Sequence, residues 1–320
     1  MLNNINAARD ILNGKIVHTP VLHLNEDEII AKLPENVSVS VKLELFQQTG
    51  SFKARGVAIG IKSLGDREKK AGLVTVTGGN HGIATAWGAK EYGVSAKIIM
   101  PKTADPYRIN KCRSLGAEVI LTENVDEAFK RLGEVESEEG RYILHPFNSE
   151  NMVLGSATCC AEIVEQMPDI DVLIIPIGGG GLIAGMAHNL DQVNSNIELL
   201  GVEPTGADSF YKSLKEGTAV KIEKVETIAD SLGSPMAMEF SFDIAKKRVE
   251  RVEKVTDDEI RKAMLLMRDY LGLIVEPACA TSLAGLLGPF RKHCRGKKVG
   301  IIACGSNISF ERYNDILSKL

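Results

Sequence analysis

The sequence predicts an α/β fold with two mostly parallel sheets, on three observations. From Ala71 onward, short β-branched runs alternate with helix-period segments, the pattern of parallel strands joined by crossover helices. The chain has 320 residues, 44% hydrophobic and 25% charged, enough for one large core or two ordinary ones. Four strand candidates fall between residues 72 and 148, which suits a compact sheet of their own and leaves the two ends of the chain to build a second. The expected division is therefore a small domain at 72–148 and a large domain from 1–71 and 149–320, with a ligand cleft between them.

In chain order, the predicted strands are Leu73–Thr77, Ala96–Met100, Glu118–Thr122, Tyr142–His145, Val172–Ile177, Glu198–Val202 and Lys298–Ala303. Between them, segments such as HGIATAWGAKEYG and NMVLGSATCCAEIVEQM are long enough for helices. Several close on a glycine suited to the left-handed C-terminal position. Thr256 to Glu259 reads T-D-D-E, a capping box that opens a helix over Asp257–Tyr270. The polar stretch 123–141 reads as surface, and no repeat, low-complexity run or Pro-rich linker marks a boundary.

Composition excludes several classes of function. Lys and Arg number 38 against 42 Asp and Glu, a formal charge of −4 without like-charged blocks, so nucleic acid is not an expected partner. The opening MLNNINAARDILNGK lacks an apolar core of signal-peptide length, and a run of four glycines interrupts the most apolar stretch, Val172–Ala187, which holds a fifth at Gly185; neither a membrane partner nor export is expected. Six cysteines without C-x-x-C spacing fit reduced thiols of a cytoplasmic enzyme, most of them small core residues.

Four segments carry chemistry. Gly178, Gly179, Gly180 and Gly181 stand between the apolar run VLIIPI and LIAGMAHNL. Strand, glycine loop and helix make an anion site, because backbone N–H groups approach a phosphate without Cβ obstruction and the helix start adds unpaired donors. Tight packing of helix on strand also explains glycines there, although one or two would suffice. A rival reading takes Gly179, Gly181 and Ala184 as a dinucleotide fingerprint with Glu203 as the ribose acid; a short helix after the glycines counts against it. In T-G-S-F-K-A-R-G (49–56), Lys53 lies just inside a helix start and beside Phe52. Both disfavour the protonated ammonium, and a cofactor aldehyde needs the free amine; a lysine at such a place is otherwise ordinary solvated surface. T-G-G-N-H (77–81) offers backbone donors and the Asn80 side chain to a second anion, with His81 more a helix-start hydrogen bonder than an acid or base. A-C-G-S-N (303–307) follows the last strand, where Cys304 reads either as a site thiol or as a buried one.

Taken in order with K-L-E (42–44), H-P-F-N (145–148), G-V-E-P (201–204) and V-E-P-A (275–278), these segments resemble the fold-type II pyridoxal-phosphate enzymes. The likeness runs nearly end to end and is nearest to the threonine dehydratase, serine dehydratase and serine racemase group. It implies a tryptophan synthase β-like arrangement of two three-layer domains, pyridoxal 5′-phosphate as cofactor, a small amino acid as substrate, and a homodimer. By the same resemblance, Lys53 would hold the cofactor as a Schiff base and Phe52 would lie against its ring. Gly178, Gly179, Gly180, Gly181 and Leu182 would bind its phosphate, Asn80 its ring hydroxyl, and Cys304 its pyridine nitrogen. Thr77, Gly78, Gly79, Asn80 and His81 would receive the substrate carboxylate. A neutral thiol cannot keep the ring nitrogen protonated, which favours prompt loss of a β-leaving group: a dehydratase (ammonia-lyase) acting on L-threonine, L-serine or a related β-hydroxy amino acid. The alternatives are β-replacement as in cysteine synthase, serine racemisation, a non-catalytic relative and, outside this class, an NAD-dependent oxidoreductase.

Departures from the pattern sharpen the expectation. Gly78 stands where racemase-like proteins supply a serine as second acid/base, which predicts elimination with little racemisation. Glu203, the Ala207 carbonyl and Ser209 occupy the group's cation positions, and a hydroxyl with carbonyls suits a monovalent ion such as K⁺; Glu203 is otherwise an ordinary strand-end carboxylate. Ser231 replaces a glycine common in threonine dehydratases. The end at Leu320 leaves no room for a regulatory domain, so isoleucine feedback is not expected.

Overall fold

The structure, a computed structural model, describes residues 4–320. Among the described residues, ten strands form two sheets: β1 (Val21–His23), β2 (Ser38–Lys42), β3 (Leu73–Val76), β4 (Ala96–Pro101), β5 (Glu118–Thr122), β6 (Tyr142–Ile143), β7 (Val172–Pro176), β8 (Glu198–Pro204), β9 (Val249–Val255) and β10 (Lys298–Ile302). The larger sheet runs β1-β2-β10-β7-β8-β9 and the smaller β5-β4-β3-β6. Every neighbouring pair is parallel except β1 with β2 at one edge. The α/β class read from the sequence holds, and all seven predicted strands are present.

Three strands escape the sequence reading, each for a physical reason. β1 has three residues. β2 reads S-V-S-V-K, too polar to announce a strand that the sheet nonetheless buries. β9 reads V-E-R-V-E-K-V with its valines buried every third residue, a helical spacing that a bulge against Leu199 and Leu200 accommodates in the sheet. The predicted capping box is formed, and its helix runs Asp257–Leu271.

Strand β7 is buried at all five positions, as the middle of a parallel sheet covered on both faces must be. It ends at the glycine loop, so the loop opens at the carboxyl edge of the large sheet. The following helix spans Gly181–Gln192, 12 residues, which corrects the short helix expected there. Helix Glu150–Gln166 is the spine of this region. A Cβ at its Gly155 would lie 2.3 Å from the Gly56 nitrogen, and one at Gly185 would lie 2.3 Å from the Ser156 Cβ. Glycine at these crossings thus lets the helix that begins with Lys53 and the helix after the tetraglycine both pack directly on the same support.

A buried ion cluster fixes the first of these helices. Arg55 donates to both oxygens of Glu44 (2.8 and 2.7 Å) and both oxygens of Glu162 (2.7 and 2.8 Å). Lys42 adds a 2.6 Å bond to Glu162 and Thr19 a 2.5 Å bond to Glu44. Arg55, Lys42 and Glu44 are wholly buried. The two cations answer the two carboxylates, and the charge-assisted bonds offset the desolvation that burial costs.

Candidate active site

Lys53 is the first residue of helix Lys53–Lys62 and lines a cavity of about 700 Å³. Its Nζ donates to the Pro146 carbonyl at 2.6 Å and sits 5.0 Å from the centre of the Phe52 ring. No carboxylate pairs with it, so burial pulls its pKa down from 10.5 to about 8. That amine is a nucleophile and base near neutral pH, in contrast with a solvated surface lysine.

The tetraglycine forms the opposite wall. A Cβ on Gly179 would lie 2.4 Å from the Phe147 ring, one on Gly181 2.9 Å from the Phe147 Cβ and one on Gly178 3.0 Å from the Leu232 Cα; Gly180 has φ +91°. All four glycines are thus required by packing or backbone conformation, more than the one or two that a tight turn needs. Packing and conformation together account for the glycines; the feature that suits an anion is the helix start that the loop opens. Gly180 supplies no side-chain cap, and Gly181, Leu182 and Ile183, whose amides open the 12-residue helix and have no intrahelical acceptor, line the cavity.

Thr77, Gly78, Gly79, Asn80 and His81 line the same cavity at the start of helix Asn80–Tyr92. The Asn80 Oδ1 accepts from Asn307 Nδ2 and its Nδ2 donates to Glu276 Oε1, both at 2.6 Å. One N–H of Asn80 is therefore left to offer a ligand, which must be an acceptor. His81 Nε2 donates to the Leu144 carbonyl at 2.9 Å, and burial with Lys53 nearby lowers its pKa to about 3. A permanently neutral ring tied to the backbone matches the hydrogen-bonding reading of His81 rather than an acid/base one. Cys304 is buried at the cavity edge. Its hydrogen bond with Cys279 and its burial push the thiol well above the ordinary thiol range, so it presents a neutral group.

Glu203 and Ser209 lie outside this cavity. Both Glu203 oxygens accept backbone amides, from Phe210 at 2.9 Å and Tyr211 at 2.7 Å, so it caps helix Ser209–Glu216 from strand β8. The dinucleotide reading needed this carboxylate beside the glycine loop, and its place removes that support. Among the described residues, no cluster of three His, Cys, Asp or Glu side chains could hold a metal ion, and no helix is long and apolar enough to cross a membrane.

The cavity also holds groups to which the sequence reading gave no role. Phe147, inside the quoted H-P-F-N, packs on the tetraglycine. Glu276, inside V-E-P-A, is 1% exposed, and burial pushes its pKa up to about 7 even though Arg108 contacts it. Arg108 and Asp230 complete the inner wall. Nothing local marks Arg108: it sits in the polar helix PYRINKCRS, and its partners are 30 to 199 residues away.

The residues present fit a phosphorylated pyridine aldehyde. The amides of the glycine loop suit the phosphate, the depressed amine of Lys53 the aldehyde, the spare N–H of Asn80 a ring oxygen and the neutral Cys304 thiol a ring nitrogen. Comparison with known proteins agrees. Residues 12–305 match the family described as pyridoxal-phosphate dependent enzyme. Over 306 residues, covering 96% of this chain and 93% of the relative, the chain is 42% identical to a phenylserine dehydratase of Ralstonia pickettii. It is 34% identical over 282 residues, 88% of this chain and 70% of the relative, to an L-threonine ammonia-lyase of Thermotoga maritima. Among solved structures, maize serine racemase superposes with a TM-score of 0.91 at 31% identity, covering 99% of this chain and 97% of that one.

Proposed function

Because the chain belongs to the pyridoxal-phosphate dependent enzyme family, we propose that it is a dehydratase that releases a 2-oxo acid and ammonia from a 3-hydroxy amino acid, with a preference for an apolar β-substituent of aryl size. The observation that carries the preference is the apolar character of the cavity. Val76, Pro101, Ala104, Val125, Val225 and Pro235 line it, far more apolar surface than the methyl group of threonine can cover. The phenylserine dehydratase at 42% identity supports the same choice. A panel of threo-phenylserine, L-threonine and L-serine, assayed for 2-oxo acid without added thiol, tests it. The aryl substrate should lead in kcat/KM by at least about 10-fold, the scale set by a few buried methylenes. Parity between threonine and phenylserine would return the reading to threonine or serine.

The proposed roles follow the geometry. The amides of Gly178 to Leu182 hold the cofactor phosphate, Phe52 lies along the ring, Asn80 donates to the ring oxygen and Cys304 faces the ring nitrogen. The loop 77–81, whose Asn80 and His81 amides stand at a helix start, takes the substrate carboxylate. Bound pyridoxal phosphate supplies the electron sink that makes the substrate α-proton acidic. Lys53 takes that proton, and its environment keeps the amine ready to do so near pH 8. Residues 72–148, which carry the four-stranded sheet, act as a small domain over a large one made of 1–71 and 149–320. A pH test follows from the depressed amine: the rate at which apoprotein attaches pyridoxal phosphate should rise with pH up to about 8 and level off above it, because only the deprotonated amine reacts. A rise continuing towards pH 10 would show an ordinary lysine.

Racemisation is a second reading, favoured by the likeness to serine racemase. Against it, Gly78 brings no proton-transfer group to the loop. The nearest atoms to a Cβ there belong to Ala104 and Pro101, none closer than 3.7 Å, so a serine fits. Gly78→Ser is expected to raise D-serine formation at least 10-fold over a low wild-type rate, a threshold set below the about 10²-fold at which contributions of a well-placed general acid–base group begin. Comparable D-serine and 2-oxo-acid rates in the unaltered protein would instead establish a racemase.

The cation site is proposed at Glu203, the Ala207 carbonyl and Ser209, as a K⁺ site. It is supported by a buried carboxylate whose pKa burial raises to about 8, an environment that a cation would relieve. Activation by K⁺ but not Mg²⁺ is the expected result.

A further inference from the structure

Arg108 is 1% exposed and borders the cavity, where an arginine is ordinarily read as an anion clamp. Its hydrogen bonds argue otherwise. Nε donates to the Asn307 carbonyl at 2.7 Å. Nη1 donates to Asp230 Oδ2 at 2.8 Å and to the Gly78 carbonyl at 3.3 Å. Nη2 reaches Glu276 Oε2 at 3.1 Å, Asp230 Oδ1 at 3.2 Å and Ser231 Oγ at 3.4 Å. A guanidinium has five N–H groups, and all five are engaged within the protein. None remains for a substrate.

These bonds close a ring. Arg108 holds Glu276 and the Asn307 carbonyl; Glu276 Oε1 accepts from Asn80, and the Asn307 side chain donates to Asn80 Oδ1. Arg108 and Asn80 belong to the layers of the small sheet, Glu276 and Asn307 to those of the large one. The ring thus ties both ends of the Asn80 amide, and through Gly78 it also sets the loop backbone. With the Gly78 carbonyl turned to Arg108 and the Gly79 N–H donated to Thr77 Oγ1 at 3.1 Å, the peptide plane between residues 78 and 79 is fixed from both sides.

We propose that Arg108 is a positioning residue: through the Gly78 carbonyl and the Glu276–Asn80–Asn307 ring it aims the 77–81 loop at the substrate carboxylate, without touching substrate itself. This deepens the proposed function and rests on its assignment of that loop. A lysine at 108 keeps the charge but cannot form the fork, and a glutamine keeps a shorter amide without charge. In both, the grip on the substrate carboxylate should fall by clearly more than cofactor affinity, to which Asn80 adds one bond among several.

The test uses holoenzyme and two ligand pairs that lack a β-hydroxyl, L-phenylalanine with phenethylamine and L-alanine with ethylamine, as competitive inhibitors. In the unaltered protein each acid should inhibit at least 10-fold more tightly than its amine. In Arg108→Lys that ratio should drop towards one, and the substrate KM should rise by about the same factor. The dissociation constant of pyridoxal phosphate, read from its absorbance, should rise by clearly less than the KM. An unchanged ratio in Arg108→Lys and Arg108→Gln, or a loss of cofactor affinity as large as the rise in KM, overturns the proposal. So does failure of both variants to fold, which would make Arg108 a residue of general stability. If the unaltered protein does not distinguish acid from amine in either pair, the assignment of the loop fails on its own, before any variant is compared.

Discussion

Lys53→Ala is expected to lower turnover by at least about 10³-fold, since it removes the group proposed both to carry the cofactor and to take the α-proton. The protein itself should survive the change. The Lys53 amine makes one hydrogen bond, to Pro146, and has no carboxylate partner, so its removal relieves an unfavourable burial rather than breaking an ion pair. Alanine is also a better helix former than lysine at the start of helix Lys53–Lys62. The linkage has a definite sign. A lysine whose pKa falls from 10.5 to about 8 on folding destabilises the apoprotein below pH 8, and stability rises with pH between those two values. The alanine variant should lose that rise. Three measurements decide: 2-oxo-acid release, borohydride labelling of the position with pyridoxal phosphate, and urea midpoints of the apoproteins at pH 7 and 10. Retention of more than about a tenth of the activity would show that another group carries the reaction.

Gly179→Ala should be nearly as damaging to function by a different route. The added methyl would lie 2.4 Å from two atoms of the Phe147 ring, too close for either group to stay in place. Phe147 cannot simply retreat. Its carbonyl accepts from Ser241 at 2.7 Å, its ring stands edge-on to His145 at 4.9 Å, and the neighbouring Pro146 carbonyl holds Lys53. Overpacking of this kind costs about 1–3 kcal/mol, and the strain is shared by the amides proposed to hold the phosphate and by the lysine. Cofactor affinity should fall at least 10-fold, with a smaller shift in the urea midpoint. Combining the change with Phe147→Ala should restore part of the affinity, because the clash is pairwise. Equal losses in the single and double variants would place the effect in the loop backbone instead.

The strands and the chemistry-bearing loops were legible because both are local. Parallel strands announce themselves as β-branched runs, and Lys53, Gly178 to Gly181, Thr77 to His81 and Cys304 stand next to strand ends or helix starts that can be read from a dozen residues. The structure brings all of them to one cavity. Strand β9 was not legible, because its valines recur every third residue and only pairing with β8 makes it extended. Arg108 was invisible for a related reason. Its meaning lies in Asp230, Glu276 and Asn307, each more than a hundred residues away in sequence, and in a helix whose remaining face is polar. Glu203 shows a third case: its strand-end position was correct, yet only the fold reveals that helix amides of Phe210 and Tyr211 take both of its oxygens.

The cluster behind Lys53 constrains how this protein can change over time. Arg55, Glu44, Glu162 and Lys42 share one dry pocket, so loss of any single member strands an opposite charge at a cost of about 3–5 kcal/mol, a large part of the stability of a typical domain. Replacement of the whole set by apolar residues of similar volume need cost little. Drift at these four positions is therefore blocked one step at a time and open only by concerted exchange. The lysine two residues upstream of Arg55 inherits that immobility.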